Sequence, residues 1–358
     1  MPVREKSMNK LHTRRSAIAL RFLAIAVLAL GAVQGPVGAS KASEAKLPLI
    51  WLSSPPVADY MALFRDPDTW KTGLARTGVL TLSTHFASTT GDKALKEIII
   101  FLQRHRMALG VDGNLQTPGK DECGLGIEGY DPPGAAKLLA ARIKSLGGEL
   151  RYIAMDEPLW FGHIAKSYWL PNHGACRDTI EGVAANVAAV VSEVRQVFPN
   201  VEVGDIEYLP PGDDVEWPHY SGELKTWLSA FEKKTGRPLS FLHFDVGWQP
   251  NPRHGGKVDE TWRASLKSVT QIPSEAGIAY GVIYNGSPTD TGDDEWVDRA
   301  EERFQIAEGA LQLKPDQVVI QSWMKHPGVV APETTPGTLT NLLLRYLRWR
   351  ERDPALSH

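Results

Sequence analysis

Residues 150–160 read Leu-Arg-Tyr-Ile-Ala-Met-Asp-Glu-Pro-Leu-Trp, a largely apolar run that ends in two adjacent carboxylates and a proline. A short apolar run bounded by turn residues predicts a buried strand, here over 150–157. In the stretch before it, Asp131-Pro132 predicts the N-cap and first residue of a helix, and Gly147-Gly148 predicts its end. The chain therefore alternates here between helix and strand.

The same alternation continues in both directions. Further strands are predicted at 48–54, 78–86, 107–113, 201–208, 240–248, 279–286 and 317–324. Eight β-then-α units in succession predict an α/β fold, a single-domain (β/α)8 TIM barrel over residues 46–352. A doubly wound nucleotide-binding sheet is the alternative, but Ser53-Ser54-Pro55-Pro56 follows the first strand in place of a glycine-rich phosphate turn.

Residues 1–42 are predicted to be a signal peptide and short linker. A basic start precedes the apolar stretch 22–33, and small residues follow it. That stretch falls short of the ~20 apolar residues that span a bilayer, so no stable membrane anchor is expected. We therefore expect an exported protein, either secreted or periplasmic.

The charge balance and the cysteines narrow the class of protein further. The formal net charge is −3 and no basic block follows residue 42, which disfavours nucleic acid as a partner. Cys123 and Cys176 are the two cysteines of the chain. In an oxidising compartment they predict one disulfide, against the alternative of two unrelated thiols.

Polar side chains gather where the predicted strands end. A barrel keeps its active site on the face formed by the carboxyl ends of its strands, and alternate strand residues point inward. The candidates are Ser83, His85, Asp112, Asn114, Asp156, Glu157, Asp205, Glu207, His243, Asp245, Tyr284, Asn285, Gln321 and Trp323. A charge inside a barrel is costly unless it is paired or solvated in a site, so this convergence predicts a functional cleft.

Tryptophans accompany the carboxylates at the strand ends and in the following loops: Trp160, Trp169, Trp217, Trp248 and Trp323. Aromatic rings stack on the apolar face of a sugar while carboxylates and amides bind its hydroxyl groups. The combination indicates a carbohydrate as the partner. By contrast, Trp70, Trp227, Trp262 and Trp349 lie in helical stretches and are expected to pack.

The motif Asp156-Glu157-Pro158 at the end of the fourth strand resembles the TIM-barrel glycoside hydrolases, whose largest clan carries Asn-Glu-Pro there. The resemblance implies that Glu157 is the acid/base residue, and Pro158 biases Glu157 toward an extended backbone. The chain departs from that clan in Asp156 and at strand seven, where Tyr284-Asn285 stands in place of the nucleophile glutamate. Other barrel glycosidases pair strand four with strand six or five, which implies Asp245 or Glu207.

A glycoside hydrolase is thus predicted, with catalytic residues Glu157, Asp245 and Glu207. The predicted substrate-binding residues are Asp156, Asp205, His85, Asp112, Trp160, His243, Trp248, Tyr284, Asn285 and Trp323. No metal, no other cofactor and a monomer are expected.

Two rival functions remain open. A metal-dependent, sugar-isomerase-like barrel would use a mixed set of ligands, namely His85, Asp112, Glu207, His243 and Asp245. A non-catalytic carbohydrate-binding barrel would explain the missing strand-seven carboxylate.

Overall fold

The structure is a computed structural model and describes residues 47–53, 59–120, 122–165, 176–209, 217–248 and 261–352. Eight parallel strands close into a barrel in the order of the sequence, β1 to β8. They are β1 Leu49–Ser53, β2 Thr77–Ser83, β3 Ala108–Gly113, β4 Leu150–Asp156, β5 Glu202–Leu209, β6 Phe241–Val246, β7 Ala279–Tyr284 and β8 Gln317–Ile320. The predicted (β/α)8 barrel is confirmed.

Helices connect the strands and cover the outside of the barrel. They are α1 Ala62–Arg65, α2 Lys71–Leu74, α3 Thr84–Thr89, α4 Asp92–His105, α5 Ala135–Ser145, α6 Ile180–Val197, α7 Trp217–Thr235, α8 Thr261–Val269, α9 Gln271–Glu275, α10 Asp293–Phe304 and α11 Leu339–Arg352. Within the described ranges, no helix is long and apolar enough to cross a membrane. The apolar stretch 22–33 lies outside those ranges.

The inner face of the barrel is identified by one apolar cluster to which most strands contribute. Its buried members are Trp51, Val79, Ala154, Ile206, Phe241, Ile283 and Val319. Because side chains alternate along a strand, residues an even number of positions away point into the barrel, and their neighbours point to the helices.

One helix start was predicted wrongly. Asp131-Pro132 precedes α5 but does not begin it, since α5 starts at Ala135 with Gly134 as its N-cap. The Asp131 amide instead donates to Gln116 O, at 2.9 Å, and its carboxylate accepts from the Asn114 side chain at 3.5 Å. These contacts hold residue 131 in the loop after β3, and the first helical turn forms beyond it.

Candidate active site

A group of polar side chains points inward at the carboxyl ends of the strands. It includes Asp112 on β3, Asp156 on β4, Asp245 on β6, Asn285 just beyond β7 and Gln321 just beyond β8, each in register with the apolar cluster below. The three aspartates are half-buried, while Asn285 is only 2% exposed. The barrel therefore has an acidic floor at the end where barrel enzymes carry their sites.

Amide side chains hold two of these carboxylates in place. Gln321 Nε2 donates to Asp112 Oδ2 at 3.2 Å, and Asn285 Nδ2 donates to Asp245 Oδ1 at 3.3 Å. Asn285 is itself fixed by Arg303, whose Nη1 lies 2.9 Å from Asn285 Oδ1 and also donates to the backbone oxygen of Asn285. Asp245 thus sits at the end of a chain of donors that begins in α10.

Glu157 follows Asp156 at the point where β4 turns into its loop. Its φ of 49° lies in the left-handed region, so the extended backbone expected before Pro158 is not what forms. The Glu157 amide donates to Ile206 O at 2.9 Å, and its carbonyl accepts from Phe161 N at 2.9 Å. Strained backbone of this kind is held only where the surroundings over-determine it, and it is concentrated at functional sites.

Burial raises the pKa of every carboxyl group in this cluster. It raises the pKa of Asp112 to about 7 and that of Asp245 to about 6. The pKa values of Asp156 and Glu157 are raised well above their usual range, first by burial and then by neighbouring acids, chiefly Asp112 for Asp156 and Asp156 for Glu157. Acids packed this closely cannot all ionise at neutral pH, so the cluster retains protons.

Asp245 and Glu157 differ in what surrounds them. The pKa of Asp245 is pulled back down by hydrogen bonds from Asn285 and Trp323 and by the charge of Arg303. Burial and then negative neighbours raise the pKa of Glu157, with no cation or donor among the principal causes. Asp245 is therefore the group that ionises first, and Glu157 is a group that keeps its proton.

Glu128 belongs to the same electrostatic cluster, although it was not among the residues predicted from the sequence. It lies exposed in the loop after β3 and raises the pKa values of Asp112, Asp156, Glu157 and Asp245. No strand pattern marks a residue in a long loop. The one available signal was its position five residues after Cys123.

The predicted disulfide between Cys123 and Cys176 is confirmed. It joins the loop after β3, which carries Glu128, to the chain just before α6. The loop that carries Glu128 is therefore covalently tied beside the cluster.

Two tryptophans reach the surface near the carboxylates. Trp323, after β8, is 50% exposed and helps to lower the pKa of Asp245. Trp160 is half-buried, and its ring meets that of Tyr208 edge-on with the centroids 4.8 Å apart. Trp248 is only 6% exposed, and the Arg303 guanidinium lies 5.4 Å from its ring centre, so it supports Arg303 and offers no stacking face. Trp169 lies outside the described residues, as does the side chain of Trp217.

Asp205 and Glu207 do not point into the barrel as predicted. Ile206 between them belongs to the inner cluster, so both acids face the helices, and both are 0% exposed. Asp205 accepts a hydrogen bond from Trp227 Nε1 at 2.6 Å. Glu207 accepts from Leu159 N at 2.7 Å and from Trp160 N at 3.2 Å. Neither carboxylate is placed to contact a substrate.

Three other predicted substrate-binding residues also lie elsewhere. Tyr284 is fully buried on the helix-facing side and donates to Glu308 at 2.8 Å. His243 points inward but lies deep in the barrel, edge-on to Trp51, with Nε2 2.8 Å from Gln317 Oε1. Burial lowers the pKa of His243 to about 4, so its ring is neutral. His85 is exposed in α3, since β2 ends at Ser83, which caps that helix.

These positions separate the side chains that the metal-dependent alternative would need as ligands of one ion. Glu207 faces the helices and His243 is hydrogen bonded to Gln317 below the floor. In the part of the chain that the structure describes, no group of three or more histidine, cysteine, aspartate or glutamate side chains is arranged to hold a metal ion.

The raised pKa values make a prediction about stability. A carboxyl group whose pKa is higher in the folded state stabilises the fold fully below its unfolded pKa, and that contribution is lost as the pH rises to the folded pKa. For Asp112 this window runs from about 4, the ordinary value, to about 7. Asp112→Asn should therefore raise the melting temperature at pH 7 and change it little at pH 4. An equal shift at both pH values, or a shift also seen in the exposed control Asp68→Asn, would contradict this assignment.

Comparison with known proteins gives distant structural matches only. No protein-family model matches the chain, and no curated protein matches it significantly. A β-glycosidase from Pyrococcus horikoshii matches 88% of this chain and 100% of its own at 12% identity and a TM-score of 0.47. An intracellular xylanase from Thermoanaerobacterium saccharolyticum matches 77% of this chain and 86% of its own at 12% identity and a TM-score of 0.44.

A third match has a different chemistry. The 3-deoxy-D-arabino-heptulosonate 7-phosphate synthase from Thermotoga maritima covers 85% of this chain and 86% of its own at 8% identity and a TM-score of 0.42.

Proposed function

We propose that this chain is a glycoside hydrolase in which Glu157 is the proton donor and Asp245 its ionised partner. The observation that carries this proposal is the contrast between the two environments. Asp245 has Asn285, Trp323 and Arg303 to stabilise its charge, whereas Glu157 has burial and negative neighbours. A pair of acids whose pKa values are pushed apart in one cleft is the arrangement that acid/base catalysis at a glycosidic bond requires.

In this reaction the carboxyl proton of Glu157 passes to the oxygen of the leaving group as the glycosidic bond breaks. The Asp245 carboxylate acts on the opposite face of the sugar, either by taking a proton from the attacking water or by attacking the anomeric carbon itself. Asp112 and Asp156 bind hydroxyl groups, and the charge of the ionised Asp245 helps to keep Glu157 protonated. Trp323 and Trp160 offer ring surface at the mouth for the apolar face of a sugar.

The direct test is hydrolysis of a panel of polysaccharides and oligosaccharides, including bacterial exopolysaccharides, by the purified mature chain. Release of reducing ends from at least one member is expected, and it should be absent from Glu157→Gln. Tight sugar binding without any release of product would instead establish a non-catalytic carbohydrate-binding barrel.

We further propose that the enzyme is exported and loses residues 1–42 or a segment ending close to them. Val37-Gly38-Ala39 and Ser40-Lys41-Ala42 each offer the small-x-small pattern at which signal peptidase cleaves. The mature protein should begin between Ser40 and Lys46, and N-terminal sequencing of material from the periplasm or medium measures this. Finding Met1 intact on membrane-bound protein would contradict export.

A further inference from the structure

The turn that carries Glu157 rests on a carboxyl group outside the site. Glu207 Oε1 accepts from Leu159 N at 2.7 Å and Oε2 accepts from Trp160 N at 3.2 Å. Both amides lie within three residues of Glu157. The amide of Glu157 itself donates to Ile206 O, which lies on β5 next to Glu207. Strand β5 thus holds the turn after β4 through three hydrogen bonds.

Glu207 is not alone in this buried position. Asp205 lies two residues earlier on the same face of β5, and both side chains are 0% exposed. One oxygen of Asp205 accepts from the Trp227 indole. The other, Oδ1, is buried and accepts from no N–H or hydroxyl group among the described residues. Asp205 lies within hydrogen-bonding reach of the Glu207 carboxyl group.

Two carboxylates cannot hydrogen bond to each other unless one carries a proton. Burial raises the pKa values of both Asp205 and Glu207, and the hydrogen bond between them raises that of Glu207 and lowers that of Asp205. One proton is therefore shared between the two carboxyl groups, while the Glu207 oxygens accept from the two backbone amides.

We propose that Glu207, with one proton shared with Asp205, is a positioning residue that holds the turn of residues 157–160, in which Glu157 has its positive φ. It fixes the place of the Glu157 carboxyl group and of the Trp160 ring without touching the substrate. The effect on catalysis rests on the proposed glycosidase function; the effect on the turn does not. A misplacement of about 1 Å can cost on the order of 10²-fold in rate, so a rigid support of this kind matters to a proton donor.

The experiment compares Glu207→Gln, Asp205→Asn and the control Glu308→Gln. A glutamine at 207 keeps one carbonyl oxygen, and its amide group can donate to Asp205, but one of the two backbone amides loses its acceptor. Asp205→Asn supplies an N–H in place of the shared proton, so Glu207 still accepts from both amides. Glu308 is a buried carboxyl group on the helix-facing side of β7, bound by Tyr284, Tyr346 and Arg350.

The first readout is amide hydrogen exchange at residues 159 and 160, which is independent of any activity. Glu207→Gln should speed exchange at one of them by about tenfold, the effect of one lost hydrogen bond. Asp205→Asn and Glu308→Gln should leave both protected. Wild-type protection in Glu207→Gln, or equal loss in either of the other variants, overturns the proposal.

The second readout is the ratio of rates on a natural glycan and on an aryl glycoside with an activated leaving group. A displaced proton donor harms the first substrate more, so Glu207→Gln should lower this ratio, whereas the general destabilisation in Glu308→Gln should not. An unchanged ratio in Glu207→Gln would overturn the link to Glu157. If the wild type cleaves neither substrate, the glycosidase function fails and the exchange result still decides the positioning role.

Discussion

Glu157→Gln is expected to lower kcat on a natural glycan by about 10²–10⁴-fold, the range that general acid catalysis contributes. The amide keeps the shape of the side chain but has no proton to transfer. An aryl glycoside with an activated leaving group needs less protonation, so its rate should fall less. The measurement is the pair of kcat values on the two substrates, with sugar binding followed separately to show that the cleft is intact.

Glu202→Gln is the matched control for this change. Glu202 begins β5 at the opposite end of the barrel and pairs with Arg151 at 2.5 Å. Its substitution alters the same functional group on a barrel strand and should leave kcat near the wild-type value. Near wild-type hydrolysis of the natural glycan by Glu157→Gln would show that Glu157 is not the proton donor. Asp156, the other acid of the cluster with a strongly raised pKa, would then be the candidate for that role.

Asp245→Asn is expected to be about as damaging, but without the relief that an activated leaving group gives. Asp245 has to be ionised to act, and its pKa of about 6 sets the direction of the pH dependence. Activity of the wild-type enzyme should therefore fall as the pH drops below about 6. It should fall again at higher pH, where Glu157 loses its proton. The kcat/KM profile against pH measures both limbs.

Trp323→Phe separates the charge of Asp245 from its position. It removes the indole N–H that hydrogen bonds to Asp245 and helps to keep its pKa low, while it retains an aromatic ring. The acid limb should move to higher pH, with the rate above that limb largely preserved. If Asp245→Asn is harmless, the partner role passes to Asp112, which shares the floor and has a pKa of about 7.

The acidic floor of the barrel carries a cost in stability. Several carboxyl groups with raised pKa values share one floor, and each ionises more readily in the unfolded chain than in the fold. At neutral pH each such group therefore lowers the free energy of unfolding. The loss is about 1.4 kcal/mol for each unit by which its folded pKa exceeds its unfolded pKa, counted up to the ambient pH. An apolar or amide-lined floor would be more stable, which is the usual relation between a strained site and its function.

Local pattern was sufficient to predict most of the architecture. The apolar runs of all eight strands and the turn residues between them lie within short stretches, and hydrophobic periodicity reports on burial directly. The disulfide followed from a chain with two cysteines. Asp156, Glu157 and Asp245 could be assigned to one face because they stand at the carboxyl ends of strands, which meet there in any barrel.

Only the tertiary structure decided which face of its strand a residue occupies and how deep in the barrel it lies. On β5 the alternation pairs Asp205 with Glu207 and Ile206 with Tyr208, but it does not say which pair is inside. The acids turn to the helices because Trp227 and the amides of residues 159 and 160 satisfy them there, and Ile206 fills the barrel. The same holds for Tyr284 with Glu308 and for His243 with Gln317. These partners lie tens of residues away in sequence and become neighbours only when the barrel closes, so no local pattern carries their positions.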